Sequence, residues 1–192
     1  MSTEVLPLFP LRTVLVPGAR LGLRIFEPRY LSLVSNCSRE GSGFGVCLLL
    51  EGEEAGAPAL PAPFGTEARI EDFDRGDDGL LMLQVRGHRR FSLLDTTVHD
   101  NGLVVGAVEW QAPDPDEPLR PEHGLLSTVL ARILEQVGGE HARAPAALLD
   151  DAAWVGWRLA ELMPLSDAQR LEVLREPDPH ARLDRLLATV TE

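Results

Sequence analysis

The chain has 192 residues and a formal net charge of −12, and all 18 of its basic residues are arginine. Without lysine there is no P-loop, no Schiff-base enzyme and no Ser–Lys dyad, since each needs a lysine amine at its centre. The acidic balance opposes a nucleic-acid binder or a polybasic membrane-surface protein, because both need a basic footprint. A hydrophobic share of 44% with 25% charged residues is globular, at a length suited to one large or two small domains.

The N-terminus has no positive region followed by an apolar run, so no signal peptide is expected. The longest apolar run, residues 46–50, is far below the ~20 residues of a membrane helix. Cys37 and Cys47 have no metal-ligand spacing and read as free thiols of a reducing compartment, which places the protein in the cytoplasm.

Residues 1–116 read as a β-rich domain. Residues 21–26 alternate apolar with small or polar groups, as a half-buried strand does. Pro28 suits a first helical turn, with Tyr30, Leu31, Leu33, Val34 and Cys37 as the apolar face of one short helix. Gly41-Ser42-Gly43 leads into a strand rather than following one, so it is a turn and not a phosphate loop. Residues 44–50 form a continuous apolar strand. Residues 51–63, acidic then Ala/Pro-rich, read as an exposed polyproline-like loop. Residues 68–73 are a weaker strand. Asp77-Asp78-Gly79, Gly87-His88 and Asn101-Gly102 then punctuate three antiparallel strands, at 80–85, 90–98 and 103–110. The last break favours a type I′ hairpin.

Residues 112–121 carry four prolines and form a stiff acidic connector, inside which the domain boundary is placed. Residues 117–192 switch to helical periodicity. Leu126, Leu130, Ile133 and Val137, flanked by Leu125 and Val129, make one stripe; Leu148, Ala152, Val155, Leu159 and Leu162 make the next. Ser166 to Gln169 is a capping box, opening a short helix with Leu171 and Leu174 inward. Asp178-Pro179 opens a last helix with Leu183, Leu186, Leu187 and Val190 on one face. A bundle of about four α-helices results, small enough that docking on the β half is expected. The fold class is α+β.

No catalytic constellation emerges. The five histidines lack ligand spacing, so no metal is expected, and no cofactor motif is present. Asp150-Asp151 suit a helix start. Trp154 and Trp157 lie about 120–180° from their helix's apolar stripe. That arrangement means either a sandwiched helix or a partner surface.

The opening reads Leu6-Pro7-Leu8-Phe9-Pro10-Leu11, then Pro17-Gly18, then Ile25-Phe26-Glu27-Pro28-Arg29-Tyr30. Phe44-Gly45-Val46, residues 65–70, residues 85–91 and a tail with Gln169, Leu174 and Arg182-Leu183 follow. Together these closely resemble the N-terminal substrate-binding domain of Lon proteases. The resemblance implies a PUA-like β pseudobarrel followed by a helical bundle, and a non-catalytic module that binds protein segments. Lon's ATPase and protease chemistry is not expected here. Pro7, Pro10 and Pro17 are expected at edges and turns, and Phe26 and Tyr30 against the barrel. Arg29 is expected to pair with Glu27 or to satisfy carbonyls.

The expected partners are unfolded or extended protein segments, or a protease or chaperone, held in an apolar groove or by strand addition. The candidate contacts are Phe26, Arg29, Tyr30, Trp154 and Trp157. Two alternatives remain open: an RNA-binding PUA-like protein, with Arg86, Arg89 and Arg90 as the only basic cluster, or a small-ligand protein using an interdomain cleft. Neither half is basic, at net −8 for residues 1–118 (18 acids, 10 arginines) and −4 for residues 119–192 (12 acids, 8 arginines). The oligomeric state is left open.

Overall fold

Six strands and five α-helices form among residues 2–51, 54 and 60–192, which the computed structural model describes. The α+β chain divides into two units, Met1–Gln111 and Ala112–Glu192.

The first unit holds β1 (Glu4–Leu11), β2 (Arg20–Ile25), α1 (Pro28–Glu40), β3 (Phe44–Glu51), β4 (Leu60–Arg75), β5 (Leu81–Val98) and β6 (Val104–Trp110). The sheet order is β2-β5-β4-β3-β1-β6, and β5 also pairs with β6. That last pairing closes β1, β3, β4, β5 and β6 into a ring and leaves β2 appended outside it. The first part of β5, Leu81–Arg86, carries β2; the later part, Phe91–Val98, carries β6.

The expected break at Gly87-His88 is absent, and β5 is one strand. The signal has a different use. Opposite it, β4 advances from Thr66 to Ala68 while β5 advances from Arg90 to Gly87, which is a bulge. Bulges bend a strand and strengthen its twist, and here the bend falls where β5 changes partners. Gly87 also accepts the chain before β2: its carbonyl takes a hydrogen bond from Gly18 N at 2.8 Å, and its amide donates to Ala19 O at 2.9 Å. A Cβ on Gly87 would lie 2.3 Å from Val16 O.

β1 is a strand, where its prolines had suggested edges and turns. Glu4–Pro7 pair with β6 and Leu8–Leu11 pair with β3, so each half is bonded along one side only. A proline without N–H is tolerated in such a strand. Pro17 and Gly18 do form a turn, with Gly18 at φ 80°. The expected 51–63 loop lies largely outside the described residues. Its last part is the start of β4, with Pro61 and Ala62 buried. The hairpin at Asn101-Gly102 is present, but no described non-glycine residue has positive φ, so it is not type I′. Gly102 N bonds His99 O, and Gly102 alone is left-handed at φ 86°. The Gly76–Gly79 hairpin is built the same way.

Inside the ring, Leu6, Leu8, Cys47, Phe91, Val104 and Val108 form a buried cluster. The other face of β1 packs under α1, where Phe9 stacks on Tyr30 with ring centroids 3.9 Å apart. Both cysteines are buried free thiols, and burial pushes Cys47 up to about 12.

The second unit contains α2 (Gly124–Val137), α3 (Ala152–Leu162), α4 (Asp167–Arg175) and α5 (Pro179–Thr191), with short 3-10 turns between them. It begins at Ala112, before the expected 116/117 boundary, because the proline-rich connector is bonded into it. Asp114 accepts Trp157 Nε1 at 2.7 Å and pairs with Arg182; Glu117 pairs with His180 at 2.8 Å. The expected Leu148–Leu162 helix starts only after Asp151, whose carboxylate caps Trp154 N at 2.7 Å. Leu148 sits in the preceding 3-10 turn. The buried lane of α2 is Leu126, Leu130 and Leu134, leaving Leu125 and Val137 exposed. In α4, Val173 and Leu174 are buried and Leu171 is partly exposed. The capping box forms as expected.

Arg182 is fully buried beneath the Trp157 ring, 4.0 Å from its centroid, and also donates to Glu176 O at 2.8 Å. Arg182→Ala removes the charge that pairs with Asp114 and the donor to Glu176 O, and is expected to cost about 3–5 kcal/mol in denaturant unfolding. Arg182→Lys, lacking the planar fork, should recover only part of that. In the barrel, Gly87→Ala forces Cβ against backbone and is expected to cost about 1–3 kcal/mol. Gly124→Ala, with open space at Cβ, should be neutral or stabilising by up to about 1 kcal/mol in the same assay.

Candidate partner-binding surface

Phe26 follows the last residue of β2 and precedes the N-cap of α1, Glu27. It has no element to pack into and is 57% exposed, contrary to its expected burial. In α1 the inward lane is Arg29, Tyr30, Leu33, Val34 and Cys37. Leu31 stands about 100° on from Tyr30 around the helix and points out, 42% exposed. The expectation that it joins the inward face is therefore corrected. Phe73 lies on the end of β4, where Glu71–Arg75 are all exposed, and is itself 66% exposed. Phe26, Leu31 and Phe73 together line a groove of about 490 Å³, with Ile25, Leu80 and Leu81. Scattered apolar residues are normal on a surface; three large ones around one concavity form a contiguous apolar patch.

Phe26 also borders a second hollow of about 330 Å³, whose walls include Phe9, Leu11, Leu23 and Tyr30. β2 runs beside it. β2 pairs with β5 alone, so its other edge is unpaired among the described residues. Arg24 on that strand is tied to Asp78.

The remaining expected contacts do structural work. Arg29 is 5% exposed; it pairs with Glu27 at 3.0 Å and donates to Gly102 O at 2.8 Å and Glu54 O at 3.4 Å. Tyr30 is buried against Phe9, and burial raises its phenol above the ordinary value. It reaches only the wall of the smaller hollow. Trp157 is buried, with its ring face packed against Arg182, so α3 is sandwiched on that side. Trp154 is half-buried and meets His141 edge-on at 6.3 Å. The surface thus keeps Phe26 from the sequence-derived set and adds Leu31 and Phe73. The available signal for Phe73 was an aromatic residue inside the acidic run Glu71-Asp72-Phe73-Asp74.

The arginine cluster is already engaged. Arg86 is bound to Glu71, Arg89 holds Glu67 through Nε at 2.9 Å and Nη2 at 3.2 Å, and Arg90 is buried. Arg89 also lies 3.7 Å over the Trp110 ring, whose Nε1 donates to Glu4 at 2.8 Å. These residues wall a cavity of about 620 Å³. Among the described residues, no group of three or more His, Cys, Asp and Glu could hold a metal ion.

The Glu67 side chain is almost fully buried. Burial alone would raise its carboxyl, but the hydrogen bonds from Arg89 and the charges of Arg89, Arg69 and His88 hold it below the ordinary range. A depressed folded value contributes stability above the ordinary glutamate pKa of about 4.3, and that stability is lost as pH falls through the folded value. Glu67→Gln should therefore lower stability at neutral pH and flatten its decline below about pH 4.3, read from urea midpoints across an acid series.

The chain matches the model of the ATP-dependent protease La (LON) substrate-binding domain over residues 5–192. It is similar to a crystal structure of a Lon N-terminal domain protein from Xanthomonas campestris, with 59% identity, a TM-score of 0.83, and 96% of this chain and 98% of that one covered. The N-terminal domain of Mycobacterium avium complex Lon protease shares the fold at 16% identity and a TM-score of 0.70, covering 98% of this chain and 99% of that one. Protein cereblon from Gallus gallus is 27% identical over 144 residues, 73% of this chain. The chain spans 29% of that curated relative's length.

Proposed function

Because the chain belongs to the LON substrate-binding domain family, we propose that it is a non-catalytic module that captures exposed apolar or extended segments of other proteins. The observation that carries this reading is the groove of Phe26, Leu31 and Phe73 at the end of β2, a strand that pairs with β5 alone among the described residues. An apolar side chain of the captured segment fills the groove, and an extended backbone adds alongside β2 as a further strand. Large aromatic groups on a concave surface supply most of the energy of such contacts. The lack of lysine and of a catalytic constellation in these residues supports a binding rather than a chemical role. Engagement of Arg86 and Arg89 by carboxylates disfavours the RNA alternative. Two buried free thiols suit a reducing compartment such as the cytoplasm, and among the described residues no helix is long and apolar enough to cross a membrane.

The test is fluorescence anisotropy with a labelled, permanently unfolded polypeptide. Phe26→Ala combined with Phe73→Ala should weaken binding at least tenfold, about 1.4 kcal/mol, with the melting temperature nearly unchanged because both side chains are exposed. Equal binding by this variant and the parent protein would remove the groove from the account.

A further inference from the structure

The apolar groove is not isolated. Phe73, Asp74 and Arg75 line it and also line an adjoining hollow of about 410 Å³, which Asp72, Asp77 and Gln84 complete. Three carboxylates, Asp72, Asp74 and Asp77, meet there against one arginine, Arg75. Neighbouring carboxylates are neutralised: Glu71 by Arg20 and Arg86, Asp78 by Arg24. Asp72 and Asp74 instead accept the amides of Phe73 and Arg75 at 2.8 and 2.7 Å. These bonds fix the carboxylates at the end of the hairpin without cancelling their charge. No described cation lies in salt-bridge contact with Asp72, Asp74 or Asp77.

Resting on the reading of the groove as a protein-binding site, we propose that this surface is bipartite and selects its segments by charge. Its occupant is a polypeptide stretch in which apolar residues are followed closely by lysine or arginine. The apolar side chains enter between Phe26, Leu31 and Phe73, and the cationic heads settle among Asp72, Asp74 and Asp77. The long stems of lysine and arginine let these residues leave the apolar groove and keep their charges in water. Each charge pair at such a rim is weak and screened by salt, so selection comes from several acting together and from faster encounter. Acidic segments of equal apolar content are turned away by the same three carboxylates.

The test uses the full chain and three fluorescent twelve-residue peptides with one apolar core, flanked by lysines, glutamates or serines. At low salt the lysine-flanked peptide is expected to bind at least tenfold tighter than the glutamate-flanked one, with the gap shrinking in half-molar salt. Combined Asp72→Asn, Asp74→Asn and Asp77→Asn should abolish the preference while leaving serine-flanked binding within about twofold. Because the whole chain is acidic, a control neutralises three exposed carboxylates of the second unit, Glu122→Gln, Glu135→Gln and Glu192→Gln; it should keep the preference. Equal affinity for the lysine and glutamate peptides overturns the charge selection and leaves the groove intact. So does a preference that survives the aspartate changes or is lost in the control. Failure of all three peptides to bind overturns the groove reading and the selection with it.

Discussion

An 18-residue strand has two long edges to satisfy, and β5 shares them among three partners. β4 follows it on one side from Leu81 to Ser92. On the other, β2 occupies the first part and β6 the later part, and the exchange happens at the bulge around Gly87. Buried amides and carbonyls must find partners, so the point of exchange fixes where β2 begins and where the ring closes. The chain before β2 is held there by hydrogen bonds between Gly87 and the Gly18–Ala19 segment, and Val16 O lies too close for any side chain. Closing the barrel with β6 removes its edges, and β2, outside the ring, pairs with β5 alone among the described residues.

The surface features follow from that arrangement. β4 and β5 continue past the ring as a hairpin whose end, Glu71–Arg75, is exposed throughout. β2 runs along the hairpin and delivers Phe26 beyond its last paired residue, and α1 turns back over the barrel with Leu31 on its outer side. Three apolar side chains, from the β2–α1 junction, α1 and β4, thereby meet around one groove. The acidic residues of the hairpin end lie alongside, held by their neighbours' amides. Arg29, Tyr30 and Phe9 brace α1 from behind.

Much of this was legible in the residues. The apolar runs of β2, β3 and β6, the Pro28 start of α1, the capping box at Ser166 and the α5 stripe follow from periodicity and cap chemistry. The opening string from Leu6 to Tyr30 carried the family. What was not legible depended on distant partners. Gly87-His88 looks like a turn until β4 is seen to run past it. Pro7 and Pro10 speak against a strand until β1 is seen to change partner between them. Trp157 looked available because its burial depends on Arg182, 25 residues away, and Asp114, in the connector. Phe26 and Tyr30 sit in the same string, yet only the helix phase of α1 decides that Tyr30 goes in. The exposure of Phe26 and Phe73 is a property of the assembled hairpin and not of either segment.

The central claim is that polypeptide binds where β2, α1 and the β4–β5 hairpin meet. Backbone amide spectra of the isotope-labelled full chain, recorded as an unfolded model polypeptide is added, test it most directly. The account predicts shifts concentrated at residues 22–31 and 72–82, with the α2–α5 amides unmoved. Shifts confined to the second unit, or centred on the Glu67–Arg89–Trp110 cavity, would contradict it.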